Sequence, residues 1–346
     1  MILDAHSDLL YDVTRRRLLG EKRVLERCHL ARLRRGGVEG MVLALWTDRG
    51  HGETFWERVP GAESAAGRTE IMCEATRAEF AESPWLAVVR TAGEAGAGPA
   101  AEAARAAGKL YAFLAVEGMD AIGTDLGGID CYADFGVRLG MLTWNGENAL
   151  AAGAGCDPEQ GLTGLGRRAV RRMRERGMIL DVSHLNRRGF WDALEVSEGA
   201  VLASHSNCAA LCDVPRNLTD EQLRAIRDCG GVVGVNSFHG FVHREARQQT
   251  VETLALHAAH MAEVMGPEHV ICGFDFCHFM GPGNESAAGI EDAGQAGVFL
   301  RCLEKLGMSE AEREGIARDN FLRFMGAQTP TKLSDTQMSI GKRNKK

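Results

Sequence analysis

The stretch MILDVSHLNRRGFWDALEVSEGAVLASHS, residues 178–206, contains two short apolar runs with a helical segment between them. Both runs are nearly continuous, as expected of parallel strands that are buried on both faces. A strand, a helix and a second parallel strand form one right-handed crossover unit. His184 and His205 follow the two strands at a spacing of 21 residues, so we expect them at the same height on neighbouring strands.

Similar runs recur along the whole chain and predict the fold class. Eight apolar runs alternate with segments of helical pattern, which indicates an α/β fold of the (β/α)8 TIM barrel type. The helical segments include Leu162–Arg176, Thr219–Cys229 and Val251–Met265. The predicted strands are Ile2–Ala5, Met41–Trp46, Leu110–Val116, Gly136–Thr143, Met178–Val182, Ala200–Ala203, Gly231–Val235 and Val270–Phe274.

The domain organisation follows from the spacing of these runs. Residues 1–326 are predicted to form a single barrel domain with an insertion between strands two and three. The insertion is expected to hold a helix, Ala62–Ala81, an extra strand, Trp85–Arg90, and an Ala/Gly-rich stretch, Ala92–Gly108. Residues 327–346 are polar and end in the basic sequence KRNKK, and we expect them to be disordered because they carry too little apolar surface to offset ordering.

Composition excludes several classes of function. The chain has 346 residues, and its net charge of −7 argues against a nucleic-acid partner, which would favour a basic surface. No apolar run reaches the length of a membrane span, and the N-terminus lacks the features of a signal peptide, so a cytoplasmic protein is expected. Ten scattered cysteines form no C-x-x-C pair and are expected to be reduced thiols, of which Cys277 lies near the candidate site.

Chemistry-bearing side chains follow five of the eight predicted strands. In a TIM barrel these strand ends converge at the face that carries the active site. A mixed set of imidazoles and carboxylates suits a divalent metal such as zinc, and the number of donors fits two metals bridged by a carboxylate better than one. The residues are His6, Asp8, Glu117, His184, His205 and Asp275.

Other interpretations apply to single residues of this set. A lone buried histidine is more often a hydrogen-bonded core residue than a ligand, and His184 could be anchored by Asp181 or Ser183. Convergence at one barrel face is the feature that favours the metal site. His257 and His260, on a predicted helix without a matching carboxylate set, are predicted to be structural.

At these residues the sequence resembles the membrane dipeptidase (renal dipeptidase) family, peptidase family M19 of the amidohydrolase superfamily. The matching stretches span the chain from Asp4 to about Met325 and are specific as a set. They are DAHSDLL from Asp4, AVEGMD from Ala115, GLTGLGRRAVRRM from Gly161, LDVSHLN from Leu180, SHSNCAALCDVPRNLTDEQL from Ser204 and GFDF from Gly273.

The resemblance implies two Zn²⁺ ions per chain with one bridging water or hydroxide. It assigns His6 and Asp8 to one metal, Glu117 to the bridge, and His184 and His205 to the second metal. Asp275 would approach the first metal and transfer the proton during catalysis, and Arg216 would hold the carboxylate of the substrate.

One departure concerns the substrate side of the site. Mammalian members carry a histidine in an L-T-H stretch after strand four, whereas this chain has Trp144 at that place, followed by Asn145. This arrangement resembles the bacterial branch. Trp144 is expected to pack against the substrate, and Asn145 or Asn148 to donate a hydrogen bond to it.

The function implied by the resemblance is zinc-dependent hydrolysis of short dipeptides, L-Xaa-D-Xaa among them, by a metal-bridging hydroxide. The expected partner is therefore a small dipeptide, with no nucleic acid and no membrane, and a homodimer is suggested by family resemblance. Two alternatives stay open: an amidohydrolase-type enzyme acting on N-acyl amino acids, lactams or lactones, and a non-catalytic metal-binding scaffold.

Overall fold

Parallel strands follow one another around a barrel in the computed structural model, which describes residues 1–47, 55–89, 103, 104 and 106–328. Every ladder between the strands of the described residues is parallel, and the spatial order is β1-β2-β4-β5-β6-β7-β8-β9, with β3 beside β4. The predicted (β/α)8 barrel is thus confirmed. The strands are β1 (Ile2–Ser7), β2 (Val38–Trp46), β3 (Leu86–Val88), β4 (Leu110–Glu117), β5 (Val137–Met141), β6 (Ile179–Asp181), β7 (Leu202–Ala203), β8 (Val232–Val235) and β9 (Val270–Cys272).

Helices lie between the strands and cover the barrel. Of those in the described residues, Val251–Met265 coincides with its predicted range, and Thr219 forms the predicted capping box with Gln222. The α-helices are α1 (Leu9–Leu18), α2 (Ala31–Arg35), α3 (Ala65–Ala81), α4 (Gly127–Phe135), α5 (Gly164–Glu175), α6 (Arg187–Ser197), α7 (Asp220–Asp228), α8 (His239–Val242), α9 (Val251–Met265), α10 (Ala296–Lys305), α11 (Glu310–Glu314) and α12 (Asn320–Ala327). Two π-helical segments, Leu25–Leu30 and Gly315–Asp319, precede α2 and α12.

The insertion between β2 and β4 contains α3 and β3. Helix α3 begins three residues later than predicted because the side chain of Ser64 accepts a hydrogen bond from the amide of Gly67 and caps the helix there. The extra strand is shorter than predicted, since only Leu86–Val88 pairs with β4. Most of the Ala/Gly-rich stretch and the part of the predicted tail from residue 329 onward lie outside the described residues.

Two apolar layers hold the barrel together. One fills its interior and includes Leu3, Val42, Phe113 and Ile271, closed at the bottom by Phe321. The other lies between the strands and the surrounding helices. No helix in the described part of the chain is long and apolar enough to cross a membrane. All ten cysteines are free, and four of them are buried.

The seam between the last and the first strand is held differently from the other strand pairs. Within the described residues, no ladder joins β9 to β1. Instead, Asp4 Oδ1 accepts a hydrogen bond of 2.8 Å from the amide of Phe274, two residues after the end of β9. Asp4 is buried, and its burial raises the pKa of this carboxyl to about 7. A side chain therefore replaces a backbone ladder at this seam.

Candidate metal centre

The six predicted donors meet at the C-terminal ends of the strands, around Glu117. Oε2 of Glu117 lies 3.3 Å from His6 Nε2, while Oε1 lies 2.7 Å from His184 Nε2 and 3.7 Å from His205 Nε2. On the far side, His6 Nε2 lies 3.7 Å from Asp8 Oδ1 and 3.9 Å from Asp275 Oδ1. Each oxygen of Glu117 thus faces a different group of donors.

A bulge in β1 turns His6 into the barrel mouth. Leu3 and Ala5 point into the barrel, so strict alternation would place His6 on the outer side of the strand. However, Asp4 pairs with Met41 and Ser7 pairs with Leu43, so three steps on β1 match two on β2. The extra residue reverses the facing of the residues after it, and His6 and Asp8 both join the site.

Two other donors are held in unusual backbone conformations. His184 has a φ of 70° and Asp275 a φ of 57°, in the left-handed region that side chains rarely adopt. Such conformations cost of order 1–3 kcal/mol each and persist where the surroundings enforce them, as they do at functional sites. Each residue lies three positions beyond the end of its strand, β6 for His184 and β9 for Asp275, so the strain lies in the loops that leave the sheet.

Several polar atoms at the centre are buried and have no hydrogen-bond partner among the described residues. They are Nδ1 and Nε2 of His6, Oδ1 of Asp8 and Oε2 of Glu117. Because leaving such atoms unpaired costs about 1–3 kcal/mol each, their presence in one cluster calls for a ligand. Two overlapping sets of donors, which share His6, are each compact enough to hold an ion: His6, Glu117 and His205, and His6, Asp8 and Asp275. His184 lies next to the first set, 2.7 Å from Glu117 Oε1.

The ionisation of these groups also fits a cation. Burial, with the charge of Asp8, raises the pKa of Glu117 to about 8, and burial raises the pKa of Asp275. Burial lowers the pKa of His184 and of His205 well below the usual value, which keeps both imidazoles neutral. Neutral imidazoles are the form that binds metals, and a bound cation would favour the ionised form of both carboxyls.

Outer hydrogen bonds orient the histidines. Nδ1 of His184 lies 2.8 Å from Asn145 Oδ1, and Nδ1 of His205 lies 2.7 Å from Ser204 Oγ. Since an amide oxygen only accepts, His184 carries its proton on Nδ1 and presents the lone pair of Nε2 to the centre. The structure thus places Asn145 against a donor of the metal centre, and its substrate contact stays a prediction.

Arg216 lies beside the centre without a carboxylate partner in the described residues. Nη2 donates to the carbonyl of His205 at 3.2 Å, and Nη1 lies 3.5 Å from Ser206 Oγ. The guanidinium is buried and its Nε has no partner among the described residues, and burial lowers the pKa of Arg216 to about 10. A buried cation of this kind is suited to binding an anionic ligand.

Aromatic rings form one wall of the barrel mouth. The ring of Trp144 lies 5.5 Å from Trp46 and 6.1 Å from His184, between centroids, and Trp46 in turn lies 5.2 Å from Tyr11. Trp46 is the register partner of Glu117, so this wall begins directly beside the centre. Trp144 therefore lies where the sequence predicted it, next to the site.

Asp275 has two further contacts, of which the sequence analysis anticipated the nearby Cys277 and missed Asn236. Asn236 donates from Nδ2 to Asp275 Oδ2 at 3.1 Å, and Cys277 Sγ lies 3.2 Å from Asp275 Oδ1. Asn236 directly follows β8, so the rule that strand ends carry the site would have found it. His257, by contrast, accepts from the amide of Cys208 and donates to the carbonyl of Val242, which confirms its predicted structural role.

Comparisons with known proteins point to one family. The family model of the membrane dipeptidases (peptidase family M19) matches residues 1–337. The fold is similar to that of a metallo peptidase from Rhodobacter sphaeroides crystallised with a phosphinate mimic of the dipeptide L-Ala-D-Ala. The TM-score is 0.81 at 25% identity, over 95% of this chain and 99% of the other.

The chain is also similar in sequence to two curated proteins. An uncharacterized protein from the pqqA 5' region of Klebsiella pneumoniae is 38% identical over 168 residues, 46% of this chain and 61% of the relative. An uncharacterized dipeptidase of Schizosaccharomyces pombe is 33% identical over 223 residues, 62% of this chain and 52% of the relative. The chain thus spans less than two thirds of the length of either relative.

Proposed function

The chain belongs to the membrane dipeptidase family, peptidase family M19, and on that premise we propose that it is a zinc-dependent dipeptidase with two metal ions at Glu117. The observation that carries the proposal is the position of Glu117, whose two oxygens face separate groups of buried nitrogen and oxygen donors. His6, Asp8 and Asp275 form one group, and His184 and His205 form the other. The donor set is the type that zinc prefers.

The donors at Glu117 would hold the two ions, which would lower the pKa of a water molecule and polarise the carbonyl of the substrate. Asp275 accepts the proton of that water and returns it to the leaving amine, as general base and then as general acid. Asn236 holds Oδ2 of Asp275 by the hydrogen bond of 3.1 Å, which leaves Oδ1 directed at the centre. Burial lowers the pKa of His184 and of His205 well below the usual value, which favours the neutral imidazole that a metal would bind.

The proposed substrate is a dipeptide whose C-terminal carboxylate binds Arg216. Arg216 donates to the carbonyl of His205, a donor of the centre, so the anion site lies next to the proposed metals. This short separation favours substrates with one peptide bond. Trp144 would pack against a substrate side chain, and the dipeptide mimic bound by the Rhodobacter protein supports L-Xaa-D-Xaa substrates here.

Turnover of a panel of L-Xaa-L-Xaa and L-Xaa-D-Xaa dipeptides tests the proposal, before chelation, after chelation and after zinc is added back. We expect cleavage that chelation abolishes and zinc restores. N-acetylated versions of the same dipeptides serve as the comparison, because an N-acyl amino acid hydrolase would accept them. Asp275→Asn should lose turnover and keep two metals per chain. Metal binding without cleavage of any dipeptide would refute the substrate assignment.

A further inference from the structure

A cysteine thiol lies at the edge of one group of donors and belongs to none of the roles given above. Cys277 follows Asp275 by two residues and is partly buried. Its Sγ lies 3.2 Å from Asp275 Oδ1 and 3.7 Å from Asp8 Oδ2. The same two carboxylates face His6 Nε2 at 3.9 and 3.7 Å. One imidazole nitrogen, two carboxylates and one sulfur therefore surround a common space.

The distances from Cys277 Sγ to the two carboxylates are close to the distances between neighbouring ligands of a zinc ion. With zinc–sulfur bonds of about 2.3 Å, zinc–oxygen bonds of about 2.0–2.2 Å and a tetrahedral arrangement, sulfur and oxygen ligands lie roughly 3.6 Å apart. The two observed distances from Sγ lie on either side of that value. In the structure the thiol donates a hydrogen bond to Asp275 Oδ1 and approaches Asp8 Oδ2, so the sulfur already lies between the two carboxylates that would bind the ion.

A second observation points to a ligand in the same space. Nε2 of His6 and Oδ1 of Asp8 are buried and have no hydrogen-bond partner among the described residues. Both atoms belong to side chains that are almost fully inaccessible, His6 at 0% and Asp8 at 5% exposure. They lie on the same side of the centre as Sγ, so one ion would satisfy all of them.

We propose that the Cys277 thiolate is a further ligand of the metal ion held by His6, Asp8 and Asp275. The inference rests on the proposed metal centre. On binding, the thiol proton leaves to solvent and a sulfur–metal bond forms, with no change in oxidation state. The other group, His184 and His205, has no such sulfur in the described residues. Cys156 Sγ donates to the backbone carbonyl of Asn145 at 3.7 Å, and no contact of this sulfur with a carboxylate is found among the described residues.

The thiolate makes the two metal positions chemically different. A sulfur ligand favours zinc, cobalt and cadmium over magnesium and manganese, whereas imidazole and carboxylate donors discriminate less. The position at Cys277 would therefore select a thiophilic ion, and the position at His184 and His205 would accept a wider range. Replacing the sulfur by oxygen should reduce this selectivity at one position only.

Cobalt substitution tests the proposal with a readout that does not depend on activity. The full chain is loaded with Co²⁺, and the number of bound ions and the absorption spectrum are measured. We expect a sulfur-to-cobalt charge-transfer band in the near ultraviolet that is absent from Cys277→Ser and retained in Cys156→Ser. Loss of a hydrogen bond that orients a metal ligand typically lowers metal affinity roughly tenfold or more. Cys277→Ser removes a ligand itself, so its zinc affinity at one position should fall by at least that factor.

The outcomes separate this inference from the proposed function. Two bound cobalt ions without the band, or a band that persists in Cys277→Ser, would overturn the sulfur ligand and leave the metal centre intact. Failure to bind cobalt at all would overturn both. If Cys277→Ser does not fold by circular dichroism, titration of the wild-type thiols with a colorimetric reagent decides the matter. Bound zinc should then protect one thiol from the reagent. If the same number of thiols reacts with and without zinc, the inference is overturned.

Discussion

Asn145→Ala is expected to weaken metal binding, because it removes the acceptor that orients His184. The hydrogen bond between His184 Nδ1 and Asn145 Oδ1 is 2.8 Å long, and His184 is 5% exposed. Without the acceptor, the N–H of a buried ring is left unpaired at a cost of about 1–3 kcal/mol. Loss of one such partner of a ligating histidine typically lowers metal affinity 10–100-fold, which agrees with that range.

The assay is competition for zinc between the protein and a chromogenic chelator, for wild type, Asn145→Ala and Asn145→Asp. Asp retains an acceptor at the same place, so its affinity should stay within a few-fold of wild type. KM for a cleaved dipeptide is measured at saturating zinc. Unchanged metal affinity together with a raised KM in Asn145→Ala would refute the orienting role and support a direct substrate contact instead.

Three other buried groups lead to further predictions. Arg216→Lys, which keeps the charge but loses the planar fork, should raise KM for dipeptides with little change in zinc stoichiometry, and an unchanged KM would contradict the carboxylate assignment. Asp4→Ala should lower the free energy of unfolding by about 1–3 kcal/mol in urea titrations, whereas Asp4→Asn, which can still accept from Phe274, should lose less. Burial lowers the pKa of His257 to about 4, below the usual 6.5, so the neutral ring stabilises the fold fully above pH 6.5 and progressively less as the pH falls to 4. The free energy of unfolding should fall by about 3 kcal/mol over that interval. If His257→Gln shows the same dependence of unfolding free energy on pH as wild type, His257 is not the cause of that fall.

The features that could be predicted from the sequence are those that depend on the local pattern of apolar and polar residues. The parallel strands were recognisable because each is buried on both faces and therefore continuously apolar. The candidate donors could be picked out because a barrel brings strand ends together, and His184 and His205 do lie beside Glu117. Strand lengths were harder to predict from the sequence. The length of β7, for example, is only two residues because it depends on pairing with β6 and β8.

Other features depend on tertiary contacts that no local pattern carries. His6 faces the mouth because of a bulge, whereas simple alternation from Leu3 and Ala5 would turn it outward. The outer partners of the histidines come from distant segments, as with Asn145, which lies 39 residues before His184 in the chain. Such pairings become visible only when the barrel is assembled.

The seam between β9 and β1 gives the proposed metal centre a role in the folding of the chain. Phe274 and Asp4, which join across it, are 270 residues apart, so the contact closes nearly the whole chain into a ring. The entropic free-energy cost of closing such a loop is roughly 5 kcal/mol. One hydrogen bond stabilises the folded state by less than this. His6 and Asp8 lie on one side of this seam and Asp275 on the other. A cation bound by all three residues would therefore link the first strand of the barrel to the last. Its removal should open this edge first, with amide exchange at Phe274 increasing ahead of the rest of the sheet.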